Sequence, residues 1–77
     1  MKKYKDIIGL NIEHMMEMYG FTQEELSIET GISQSAICQY INGNRMPKAD
    51  ILYEIAQVLE CKMEEFFDES ILDEEEP

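Results

Sequence analysis

The sequence contains no tryptophan, two prolines, two cysteines and one histidine. It is also poor in cations, with six lysines and arginines against seventeen aspartates and glutamates and a formal net charge of −11. Each scarcity excludes something. Cys38 and Cys61 are too few for a disulfide framework, and they lack the C-x-x-C spacing of a zinc or redox site. They read as two free thiols in a reducing compartment. His14 has no second imidazole to share a metal and no paired nucleophile, and no glycine-rich phosphate loop is present. The expectation is therefore no enzyme, no metal and no cofactor. No apolar run approaches the roughly 20 residues that span a bilayer. The start, MKKYKDIIGL, has lysines but neither a long apolar region nor a small-residue cleavage site. It does not read as a signal peptide, which favours the cytoplasm and no membrane partner.

What is present is globular. Hydrophobic residues make up 44% of the 77 positions, enough for one packed domain. A chain of this length buries only about 60% of its unfolded surface, so pairing with a second subunit would help it. The negative charge is unevenly placed. Residues 1–48 hold five cations (Lys2, Lys3, Lys5, Arg45, Lys48) and six acids, a net of −1. Residues 49–77 hold Lys62 against eleven acids, a net of −10. The reading is a domain over 1–68 followed by an acidic tail over 69–77.

Apolar periodicity predicts an all-α chain. Ile8, Ile12, Met15 and Tyr19 lie on one face of a helix over about Lys5–Tyr19, which Gly20 ends as a left-handed cap. Met16 and Met18 fall off that stripe, filling gaps or standing partly exposed, and His14 reads as a surface residue. A second helix starts at Thr22, where Thr22-Gln23-Glu24-Glu25 fits a capping box. Leu26 points to the core, small Ser27 permits a close crossing, and Gly31 supplies the positive φ that ends the helix. A third helix starts at the Ser33 cap and ends near Asn42-Gly43. Its inner side carries Ile37, Tyr40 and Ile41. Its outer side carries Gln34, Ser35 and Gln39, which can donate and accept hydrogen bonds. After a loop closed by Pro47, Leu52, Ile55, Ala56 and Leu59 mark a fourth helix over about Ala49–Glu60. A short fifth follows over about Lys62–Phe67. Phe66 is expected in the core, and Phe67, Ile71 and Leu72 are expected to include some subunit interface. Asp73–Pro77 is expected to fray.

Taken together, these features resemble the Cro/CI-type helix-turn-helix family, also called the XRE family. The resemblance spans about Ile8 to Phe67 and is strongest in GFTQEEL, TGISQSAICQYINGNRMP and LYEIAQVLECKMEEFF. It implies a compact five-helix, repressor-like domain with the helix-turn-helix at helices two and three. It also implies a DNA-binding transcriptional regulator, a repressor, working as a homodimer on a palindromic operator in double-stranded DNA. Carried onto this sequence, it makes Gln34, Ser35 and Gln39 the base-contacting residues and Gln23, Asn42 and Arg45 the phosphate-contacting ones. The sequence departs from the pattern in four places. The first helix lacks arginine across Leu10–Met16, Ser27 replaces a common alanine, Ile41 replaces a common glutamate, and Glu60 stands where glycine is frequent. The missing cations weaken nonspecific DNA affinity, which comes mainly from neutralised phosphates. They leave open an alternative on the same fold, a protein-binding module or antitoxin-like partner with weak or no DNA binding. In either case the acidic C-terminal third could dock a basic protein.

Overall fold

The structure, a computed structural model, describes residues 4–75, with side chains as far as Leu72. Four α-helices come first: α1 (Tyr4–Tyr19), α2 (Gln23–Thr30), α3 (Gln34–Ile41) and α4 (Ala49–Leu59). Two 3-10 helices follow, η1 (Met63–Phe67) and η2 (Glu69–Glu75). The all-α class is as expected. The fifth helix, however, is 3-10 rather than α. Its bonds run from the Glu65 amide to the Lys62 carbonyl at 3.0 Å and from Asp68 to Glu65 at 3.4 Å. Five residues are too few to offset the cost of nucleating an α-helix, and the tighter i→i+3 turn closes sooner.

Helix α1 is the central element. It packs against α3, α4, η1 and η2, so its buried surface is wider than a single stripe. Ile7, Ile8, Asn11, Ile12, Met15 and Met16 are all buried. Met16 thus belongs to the core, while Met18 is exposed. Tyr19, placed on the apolar stripe by its spacing, is also exposed, at 54%. The reason lies in the cap. Gly20 takes φ 75°, and the Phe21 amide donates to the Met16 carbonyl at 2.8 Å while Gly20 donates to Glu17 at 3.3 Å. This paired bonding is a Schellman cap. It turns the chain so that Phe21, not Tyr19, packs against the core.

The same cap recurs twice. After α3, Asn44 donates to Gln39 at 3.0 Å and Gly43, at φ 74°, to Tyr40 at 3.2 Å. After α4, Cys61 donates to Ala56 at 3.0 Å and Glu60 to Gln57 at 3.3 Å. There the left-handed residue is Glu60, at φ 54°, although a side chain makes that conformation costly.

The C-terminal segment is part of the packed body. η2 lies on α1 and Ile71 is buried. The anchor is Asn11, whose Nδ2 donates to the Phe66 carbonyl at 2.8 Å and the Asp68 carbonyl at 3.0 Å. Fraying of Asp73–Pro77 falls outside the described residues, apart from the helical backbone that reaches Glu75. Among the described residues no helix is long and apolar enough to cross a membrane.

Candidate nucleic-acid interface

Helices α2 and α3 are joined by a turn of three residues, Gly31–Ser33, and several independent contacts fix it. At the front of α2 the capping box is complete: the Glu25 amide donates to Thr22 Oγ1 at 3.1 Å and the Thr22 amide to Glu25 Oε1 at 2.9 Å. Gly31 ends the helix at φ 78°, its amide donating to the Ser27 carbonyl at 2.9 Å. Two hydroxyls that the sequence pattern did not assign to this task then tie the turn down. Ser27 Oγ donates to the Ile32 carbonyl at 2.5 Å. Thr30 Oγ1 donates to the Leu26 carbonyl at 2.7 Å and accepts the Ile32 amide at 3.2 Å. Serine in place of the more common alanine therefore adds a bond across the turn as well as staying small. Ser33 caps α3, its Oγ accepting the Ala36 amide at 3.1 Å.

With both ends fixed, the two sides of α3 differ sharply. Ile37, Tyr40 and Ile41 are buried. Gln34, Ser35, Gln39 and Asn42 are exposed, with Cys38 half-buried among them. Positions 34, 35, 38, 39 and 42 fall within one arc of a 3.6-residue helix. The structure thus brings the three expected base-contacting residues and Asn42 onto one face. The Asn42 Nδ2 currently donates to Cys38 Sγ at 3.4 Å.

Arg45 follows just beyond α3, exposed, with its guanidinium carbon 5.9 Å from the centre of the Tyr40 ring. At that separation a cation is attracted to the ring face, which steadies a long side chain that would otherwise wander. Arg45 borders a depression of about 320 Å³ lined by Tyr40, Met46, Lys48, Asp50 and Ile51. Lys48 is a second cation at this place that the sequence pattern did not single out. It occupies the position before α4 without a side-chain cap bond, with the acid Asp50 in the first turn beside it. Gln23, the first residue of α2, is half-buried, with less free surface than Gln34 or Gln39.

The residues assigned to a subunit contact divide. Phe67 is exposed and meets the exposed Tyr4 edge-to-face, ring centres 6.2 Å apart at 66°. Leu72 is half-buried. Ile71 is buried in the chain's own core, at 7%, and has little surface left for a partner.

Both cysteines are free. Burial, and then the negative charge of Glu65, push the Cys61 thiol up to about 11. At neutral pH it stays protonated and unreactive.

These features define a class. Residues 12–66 match the helix-turn-helix family HTH_3, and the chain belongs to that family. Among its relatives is YazB of Bacillus subtilis, which bears the name of an uncharacterized HTH-type transcriptional regulator and is 35% identical over 60 residues, 78% of this chain and 87% of its own. A protein of the same description from Archaeoglobus fulgidus is 34% identical over 65 residues, covering 84% of this chain and 89% of its own. Another, from Sinorhizobium fredii, is 34% identical over 55 residues, 71% of each chain. No solved structure gives a significant match.

Proposed function

We propose that this protein is a DNA-binding transcriptional regulator that lays α3 in the major groove of a specific palindromic operator, as a homodimer, and represses from there. The observation that carries this reading is the two-sidedness of α3. An apolar face is locked into the core by Ile37, Tyr40 and Ile41, and an uncharged hydrogen-bonding face is held out to solvent on a capped, rigid helix. The major groove admits a helix, and glutamine amides match the donor and acceptor edges of adenine. Arg45, Asn42 and Gln23 at the helix margins serve the backbone, where phosphate contacts set register and base contacts set sequence. The helix-turn-helix family and its relatives' names support a DNA-binding regulator.

Selection from random duplex DNA at low salt tests the proposal. A palindrome should be enriched, with half-sites about 34 Å apart, one turn of the duplex. On that site Gln34→Ala should weaken binding by ~1–3 kcal/mol and leave random DNA untouched. Equal loss on every sequence would refute base reading.

A second reading has its own observation. Helices α2 and α3 carry three acids, Glu24, Glu25 and Glu29, and no cation. A protein-binding module, antitoxin-like, on the same scaffold would have this character and would enrich no DNA sequence.

A further inference from the structure

Gly9 lies within α1, buried. A Cβ built on it would lie 2.6 Å from the Ile41 carbonyl oxygen, 3.0 Å from its carbon, and closer still to the Tyr40 oxygen. Those atoms are the last-turn backbone of α3. A second glycine serves the same junction. Gly43, one residue past the α3 cap, is buried at φ 74°, and a side chain there would strike the Asp6 carboxylate of α1. Gly9 thus lets the α1 backbone rest on the last-turn backbone of α3, and Gly43 leaves room beside it for the Asp6 side chain.

We propose that Gly9 is a positioning residue for DNA reading. By leaving the α1 backbone bare, it sets the depth and tilt at which α3 presents Gln34, Ser35 and Gln39. The inference rests on the DNA-reading function above.

The near end of α3 is fixed independently, by the Ser27–Ile32 bond and the Ser33 cap. The far end rests on α1. A methyl at position 9 meets backbone atoms, which cannot rotate aside. At the Ile41 oxygen, restoring ordinary contact of 3.4 Å from 2.6 Å needs a displacement of 3.4 − 2.6 = 0.8 Å, and the nearer Tyr40 oxygen needs more. With the turn as pivot, the helix tilts and the residues furthest from the pivot move most. Gln39 is displaced more than Gln34. A reading group must be held within roughly 0.5 Å of its working position, so the tilt reaches the scale that hydrogen bonding to bases registers. The long side chain of Arg45, on the loop beyond α3, can readjust to a shift of that size.

The test uses the full chain and the operator that the wild type selects. Gly9→Ala is compared with Val58→Ala, a trimming of α4 away from this junction, at a temperature where circular dichroism shows each variant fully folded. Gly9→Ala should bind the operator about tenfold more weakly, the scale of one base contact, with random duplex changed less than about twofold. Sequence preference should erode most at the base facing Gln39, and Val58→Ala should keep the wild-type ratio of operator to random binding. An unchanged ratio in folded Gly9→Ala overturns the proposal. Should that variant not fold, it is remade with Glu60→Gly, and failure to fold there too overturns the proposal by showing that Gly9 serves folding alone. If the wild type itself selects no sequence, it is the DNA-reading function that has failed.

Discussion

Among the described residues Asn11 is the one buried polar side chain, and its replacement tests how the C-terminal segment is held. Its Nδ2 donates to the Phe66 and Asp68 carbonyls at 2.8 and 3.0 Å, joining α1 to the junction of η1 and η2. Asn11→Leu keeps most of the volume and removes both bonds. Each neutral bond contributes about 1 kcal/mol net, and a carbonyl left buried without a donor costs about 1–3 kcal/mol. The Asp68 carbonyl belongs to an exposed residue and can turn to water; the Phe66 carbonyl sits on a residue with no exposure and cannot. The expected loss is about 2–4 kcal/mol, a large share of the roughly 4–12 kcal/mol that a 77-residue domain commands. In a thermal melt this corresponds to roughly 10–25 °C. Asn11→Asp sharpens the argument. A carboxylate there faces two acceptors and donates nothing, so the folded chain raises its pKa above the unfolded value. Its deficit relative to wild type is then complete above the raised folded pKa and shrinks as pH falls towards 4, where the protonated acid can donate one bond. Urea denaturation at pH 7 and pH 4 decides. A loss below about 0.5 kcal/mol for Asn11→Leu, or an Asn11→Asp deficit independent of pH, would refute the anchoring role.

Glu60→Gly should stabilise the chain by about 0.5–1 kcal/mol, because Glu60 caps α4 in the left-handed region at φ 54°, where a side chain is strained; an unchanged urea midpoint would contradict this. Cys61, held up to about 11 by burial and Glu65, should react with iodoacetamide at pH 8 about a hundredfold more slowly than an unperturbed thiol, read by mass spectrometry on the native protein. Its raised pKa also means that the unfolded chain releases the proton first. Stability from this group is complete below the unfolded value of 9.0 and is lost as pH rises towards 11. Arg45→Ala should weaken binding to all DNA and flatten the log–log salt dependence by about 0.9 unit per phosphate lost, so by about two units if two copies bind together; an unaltered slope would remove Arg45 from the backbone contact.

The helix-turn-helix itself was legible because its signals are local. The Thr22 and Ser33 caps, the Gly20 and Gly31 left-handed caps, the Asn42-Gly43 turn and the apolar spacing of α4 each depend on residues within a few positions, and all appear as read. What escaped depends on distant partners. Met16 is buried and Tyr19 exposed because α1 has neighbours on several sides and Phe21 folds back. Asn11 gave no signal, since its partners lie 55 and 57 residues away. Gly9 carries no local signal, and only the approach of α3 makes a side chain there unacceptable. On the exposed face of α3, residue type and helical phase sufficed to place Gln34, Ser35 and Gln39 together. Lys48 beside Arg45 came from the course of the loop.

Net charge and the proposed DNA reading are reconciled by where the charge sits. The 3-10 helices, which carry much of the C-terminal acidity, pack on α1, and η1 also on α4; among the described residues neither touches α2 or α3. Helix α1 lies between them and α3. An α-helix with its side chains is about 10–12 Å across, whereas charges are screened over about 8 Å at 0.15 M ionic strength. The acidic 3-10 segment is therefore largely screened from a duplex on α3 at physiological salt, where the near charges are the cations Arg45 and Lys48 and the acids Glu24, Glu25, Glu29 and Asp50. At 0.01 M the screening length grows to about 30 Å, comparable with the 33 Å long axis of the molecule, and the duplex then meets the whole negative field. Most DNA binders gain affinity steadily as salt is lowered. Here the gain should flatten as ionic strength approaches 0.01 M, and neutralising Glu64, Glu65 and Glu69 to glutamine should restore the straight log–log line without changing the preferred sequence. A linear plot for the wild type down to that ionic strength would mean that the acidic side never senses the DNA.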